Sequence, residues 1–103
     1  MQTHTKKRIE ILIEAPAVRR IEAQLDHPAV SGYTIMPVIG GRGRDGHWSA
    51  DGQIGTAGQM AVFICIVDAA HADAALEAIF AVVSHQIGLV SVSDVEVLRP
   101  DRF

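Results

Sequence analysis

The chain has 103 residues, 49% of them hydrophobic and 20% charged, which is the balance of one globular domain with a single core. A formal net charge of −3 and a pI near 5.9 argue against a nucleic-acid partner, since a net-negative surface repels phosphates. The longest apolar run, Met60 to Val67, is far short of a bilayer span and the start Met1-Gln2-Thr3-His4 lacks the apolar core of a signal peptide. A cytoplasmic protein with no membrane insertion is therefore expected.

Arg8 to Glu14 alternates, with Ile9, Ile11 and Ile13 on one side and mostly charge on the other, which predicts a half-buried strand. Pro16 suits a first helical turn, and Val18, Ile21 and Leu25 recur at helical spacing until His27-Pro28 stops the pattern. Tyr33 to Ile39 is rich in strand formers. Pro37 cannot donate to a ladder, so this strand belongs at an edge.

Residues 40 to 58 hold seven of the nine glycines and almost no periodicity, predicting one long loop. Met60 to Val67 is apolar at every position, which places it at the sheet centre with both faces covered. From Ala69 the spacing turns helical through Ala72, Leu76, Ile79, Phe80 and Val83, with Asp68 as the expected N-cap. Leu89 to Leu98 alternates through Val90 and Val92, then shifts phase to Val95 and Val97, implying a bulge near Ser93-Asp94.

The order βαββαβ with right-handed crossovers implies an α+β, ferredoxin-like sandwich with strands one and three in the middle. Two helices cover only one face of such a sheet. An apolar central strand then calls for another subunit on the second face, and a closed homo-oligomer is expected. The single cysteine, Cys65, lies within the apolar strand and reads as a buried inert thiol.

The chemistry concentrates in Gly40-Gly41-Arg42-Gly43-Arg44-Asp45-Gly46-His47, four glycines and two arginines in eight residues. Glycines let successive backbone N–H groups converge on one oxygen-rich group, and arginine adds a planar fork for two oxygens. A phosphate or a carboxylate-like ion suits that composition. The alternative is a mobile hairpin loop carrying surface charge.

With Lys6-Lys7-Arg8-Ile9-Glu10 opening the first strand, Gly32-Tyr33-Thr34 opening the second, and Val95 followed by a basic C-terminal segment, this stretch resembles the PII signalling proteins. The resemblance covers nearly the whole chain, and Gly40 to His47 is similar to the family's Gly-Phe-Gly-Arg-x-x-Gly-His at the base of its T-loop. It implies a single PII-like domain over 1–103, a homotrimer with a long flexible T-loop at about 41–58, and adenine nucleotide bound between subunits. Carried across by position, Thr34 lies beside the base, Gly40, Gly41, Arg42 and Gly43 line the phosphates, and Cys65 falls on the strand wall. Ile87, Gly88 and Leu89 stand at the family's B-loop, and Arg99 and Arg102 resemble its C-terminal arginine pair.

The departures refine that expectation. Ser84-His85-Gln86-Ile87-Gly88-Leu89 has no lysine, which favours ADP or AMP over a triphosphate. Gln59 stands where the family has the lysine that pairs with 2-oxoglutarate, and the loop has no tyrosine to accept a uridylyl group. The pattern resembles most the carboxysome-associated PII-like branch (CPII), whose members bind ADP or AMP with bicarbonate. Gly41, Arg42, Gly43, Arg44 and Gln59 are then the anion candidates. The resemblance further implies a regulator, not an enzyme, whose loop conformation is read by a target in inorganic carbon uptake or carboxysome function, such as a bicarbonate transporter or a carboxysome component.

Two other classes compete. A CutA-like metal-responsive trimer shares the fold and assembly, but one cysteine and the scattered His4, His27, His47, His71 and His85 lack metal-ligand spacing. A small ferredoxin-like α+β barrel enzyme needs a nucleophile or acid–base constellation, and no Ser-His-Asp, Cys-His or paired-carboxylate set is evident. No catalytic residue and no metal ligand is therefore assigned.

Overall fold

The computed structural model describes residues 1–44, 46–49 and 59–99. Strand β1 (His4–Glu14) leads through a 3-10 turn at Ala15–Ala17 into helix α1 (Val18–Leu25). Strands β2 (Thr34–Pro37), β3 (Gly40–Gly43), β4 (Gly46–Ser49) and β5 (Met60–Val67) follow. Another 3-10 turn at Ala69–His71 opens helix α2 (Ala72–Val83), and β6 (Gly88–Val97) closes the described chain.

The main sheet runs β2-β5-β1-β6, all neighbours antiparallel, with the first and third main strands in the middle as the ferredoxin-like order requires. Alternation decides which side chains go inward. Ile9, Ile11 and Ile13 stand across from Cys65, Phe63 and Ala61 on the face beneath the helices, where Ile21, Leu25 and Ile79 close the core. Each such aliphatic or aromatic side chain taken fully from water contributes about 1.5–3 kcal/mol before conformational entropy is set against it.

The opposite face carries Leu12, Met36, Val62, Ile64, Ile66 and Leu89, interrupted by the Arg8–Glu10 ion pair at 3.3 Å. Val62, Ile64 and Ile66 are half-buried within one chain.

Three sequence expectations are corrected. The β1–β6 ladder keeps one register from His4↔Val97 to Ile13↔Gly88, so no bulge lies at Ser93-Asp94. The shift in apolar phase has another cause: Val90 and Val92 face the helices beside Ile11 and Ile9, whereas Val95 and Val97 face the open side beside Lys6 and His4. Asp68 does not cap α2 with its side chain; its carbonyl accepts from the His71 N–H, and its carboxylate pairs with Lys6. Lys6 holds that carboxyl below its ordinary range, and the hydrogen bond from Lys6 is the larger cause. Finally, the 40–58 stretch is not wholly irregular, because β3 and β4 form a two-stranded ribbon from Gly40↔Ser49 to Gly43↔Gly46. Gly46, at φ +107°, supplies the left-handed backbone that side-chain-bearing residues rarely adopt.

Candidate functional site

Alternation and antiparallel pairing bring three separate segments to one end of the sheet. Glu14 ends β1 across from Met60, whose carbonyl accepts the Val38 N–H at 3.2 Å. Val38 lies two residues before the glycine ribbon. On the other flank, the Glu14 N–H donates to the Ile87 carbonyl at 3.3 Å and the Ile87 N–H reaches Glu14 Oε1 at 3.4 Å. Next along the chain, the Ala15 N–H donates to the Gln59 carbonyl at 2.9 Å. The ribbon root, Gln59 and the turn after α2 therefore meet around the end of β1.

Of the residues expected from sequence, Gly40, Gly41, Arg42 and Gly43 form β3, with Arg42 opposite His47 and all four exposed. Arg42 and exposed Arg44 have no ion-pair partner among the described residues, leaving two guanidiniums available to an external anion. Gln59 is half-buried beside the ribbon root. Ile87 is 71% exposed and Leu89 64% exposed, and Gly88 lies so close to β1 that an added Cβ would stand 2.7 Å from the Leu12 carbonyl oxygen. Thr34 is exposed at the start of β2, across from Ile64 and three residues from Pro37 at the shared end.

Two expected members do not join them. Cys65 points into the core beneath the helices with no accessible surface, and burial pushes its thiol up to about 11. Its side chain therefore cannot meet a ligand on the outside of the sheet, because strand alternation turns Ile64 and Ile66 outward and Cys65 inward. The structure supports the inert-thiol alternative. Arg99 follows β6 at the opposite end of the sheet, beyond Val97, which stands across from His4. Nine strand steps of about 3.4 Å separate Gly88 from Val97, so the end of β6 that precedes Arg99 lies roughly 30 Å from the end of the sheet that carries the ribbon root. Arg102, Asp45 and residues 50–58 lie outside the described residues, as does most of the expected T-loop.

Sequence reading passed over Glu14. It counted there only as one polar position in the alternation of β1. The signal available was its position: a carboxylate on the last residue of a central strand, immediately before Ala15-Pro16. Among the described residues no group of His, Cys, Asp and Glu could hold a metal ion, and no helix is long and apolar enough to cross a membrane.

The model of the nitrogen regulatory protein P-II family matches the chain over residues 6–102. CPII, a nitrogen regulatory PII-like protein from Thiomonas intermedia K12, solved with ADP, AMP and bicarbonate, superposes with a TM-score of 0.83 at 25% identity, over 96% of this chain and 93% of that one. A second structure of CPII, bound to ADP and bicarbonate, gives a TM-score of 0.78 at 26% identity, covering 96% and 94%. A PII-like signalling candidate from Thermus thermophilus shares the fold at a TM-score of 0.80 and 22% identity, over 100% and 99%. No curated protein matches in sequence. With the βαββαβ sandwich, the glycine-arginine segment between its second and third main strands, and a family match spanning nearly all of its length, this chain belongs to the P-II family of nitrogen regulatory proteins.

Proposed function

We propose that this protein is a homotrimeric sensor that binds ADP or AMP together with bicarbonate and reports their occupancy through the segment 41–58 to a target in inorganic carbon uptake or carboxysome function, such as a bicarbonate transporter or a carboxysome component. The observation that carries the reading is the separation of Arg99 from the glycine ribbon. One chain presents the backbone donors, Arg42 and the turn at Ile87-Gly88 at one end of the sheet and a further guanidinium at the other. A nucleotide diphosphate needs several such donors at once, so a site that unites them is built from two copies. The ligands seen in CPII support the ligand assignment.

Regulation then follows from a population shift. Nucleotide and anion contacts at the root of the 41–58 segment favour one of its conformations, and a target accepts or rejects that conformation. If both ligands prefer the same conformation, each tightens the other's binding by an equal factor. The turn at residues 84–89 offers no lysine to a γ-phosphate, so the di- or monophosphate is the favoured ligand. Calorimetric titration of ADP with and without tens of millimolar bicarbonate, at matched pH and ionic strength, tests the reading. Tighter ADP binding in bicarbonate than in chloride, weakened by Arg42→Ala, is expected. No ADP binding under either condition overturns it.

A further inference from the structure

We propose that Glu14 is a specificity-determining residue: its carboxylate selects small oxyanions that carry their own hydroxyl donor, such as bicarbonate, and disfavours those that carry none, such as acetate. This rests on the reading that an anion binds where the ribbon root meets the turn after α2.

Glu14 stands at the centre of that junction. Its backbone N–H holds the Ile87 carbonyl, the next N–H holds the Gln59 carbonyl, and its ladder neighbour Met60 holds Val38 at the ribbon root. Its side chain is half-buried and shares the open face with Leu12 and Leu89, because Ile13 turns inward. Oε1 receives only a long contact from the Ile87 N–H, at 3.4 Å, and Oε2 has no partner among the described residues. No cation among the described residues neutralises it there. Arg8, on the same face, is occupied by Glu10, and the remaining described ion pairs are made by Lys6, Lys7 and His71 near the far end of the sheet.

A segment rich in glycine N–H groups and guanidinium therefore has an unneutralised carboxylate set beside its root. Two consequences follow from charge and hydrogen-bond valence. A bound anion at this place feels repulsion from Glu14, and each extra negative charge on the ligand increases it. The carboxylate also offers a strong acceptor and no donor, so a ligand that brings a hydroxyl converts part of that repulsion into a charge-assisted hydrogen bond. Bicarbonate is a monoanion with one hydroxyl and two acceptor oxygens: its acceptors suit the N–H groups, and its hydroxyl suits Glu14 Oε2. Acetate has the same charge and similar acceptors but a methyl group in place of the hydroxyl. Dihydrogen phosphate shares the hydroxyl chemistry and forms a separate arm of the test.

The experiment measures how far sodium bicarbonate, inorganic phosphate and sodium acetate each tighten ADP binding, at matched ionic strength and pH. It compares wild-type protein with Glu14→Gln and Glu14→Ala, each checked for a cooperative unfolding transition. In the wild type, bicarbonate is expected to exceed acetate by roughly ten-fold, the scale of one charge-assisted hydrogen bond. In Glu14→Gln, whose amide both donates and accepts, the ratio falls to within about two-fold, and acetate gains in absolute terms. Glu14→Ala also loses the preference. Phosphate matching bicarbonate supports the hydroxyl rule as the selecting feature. A wild-type response to acetate equal to that for bicarbonate overturns the proposal whatever the variants do, as does an unchanged ratio in folded variants. ADP binding with no response to any anion removes the anion half of the functional reading as well.

Discussion

At the scale of single residues, placement decides what Cys65 and Gly88 contribute. Cys65 is sealed under the helices, and desolvation favours its neutral thiol, raising its pKa from 9.0 to about 11. Folding therefore holds a proton that the unfolded chain releases above pH 9. The stabilisation is complete below about pH 9 and is lost as pH rises through about 11, a change on the order of 2 kcal/mol. Chemical denaturation across pH 8 to 11 should show a steeper loss of stability in the wild type than in Cys65→Ala, which lacks the thiol. The same burial predicts that a thiol reagent at pH 8 labels the native protein only as fast as it opens, and the denatured chain at once. Gly88 is required for a different reason. A Cβ there would sit 2.7 Å from the Leu12 carbonyl oxygen, a backbone atom in the β1–β6 ladder. Gly88→Ala should lower unfolding free energy by about 1–3 kcal/mol, as overpacking against backbone does, and urea denaturation at pH 7 measures it.

At the scale of elements, the main sheet and the glycine ribbon obey different physics. Ladder bonds and a shared apolar core hold the sheet, whereas β3 pairs with β4 in a separate ribbon and is exposed along its length. Gly46→Ala meets no atom within 4 Å but must adopt a φ of +107°, which costs about 1–3 kcal/mol. That penalty should fall on the ribbon alone: faster amide exchange at residues 40–49, with the thermal midpoint of the sheet moved by no more than about 2 °C. This contrast also explains how much was legible in the sequence. Ile9, Ile11 and Ile13 revealed β1, and the unbroken apolar run at Met60–Val67 revealed a central strand, because burial writes a period into those segments. Pro37 correctly marked an edge. The ribbon left no such mark, since the exposed strand Gly-Gly-Arg-Gly carries no apolar side chain and its pairing rests on backbone geometry. Within the candidate site, composition pointed to the glycines and to Arg42. Glu14 went unread because a carboxylate at a strand end looks like any polar alternation until the turn at Ile87 is seen to return to it. The expected bulge failed for a related reason: a change in which face of the strand carries the apolar residues, from Val90 and Val92 to Val95 and Val97, mimics a slipped register.

At the scale of the whole molecule, the open sheet face and the distance between Arg99 and the ribbon lead to one question, whether copies share sites. Leu12, Val62 and Ile64 lie on that face with no second helix layer among the described residues, and apolar surface of this kind favours association. Val62→Glu places a charge in the middle of it. The proposed trimer should then dissociate to monomers in sedimentation velocity, while far-ultraviolet circular dichroism remains that of the folded sheet. Shared sites make a sharper prediction, because Arg42 and Arg99 would come from different chains. Arg42→Ala and Arg99→Ala should each weaken ADP binding when pure. If the two variants are unfolded together and refolded as mixed trimers, random assembly places an intact Arg42 of one chain beside an intact Arg99 of its neighbour in about a quarter of the sites. Those sites should recover wild-type affinity, appearing in calorimetry as a tight class of about that stoichiometry beside a weak one. A site completed within one chain predicts the opposite, because every site in the mixture would then carry one of the two substitutions. Recovery of the tight class therefore reports directly that nucleotide sensing and assembly are the same property of this protein.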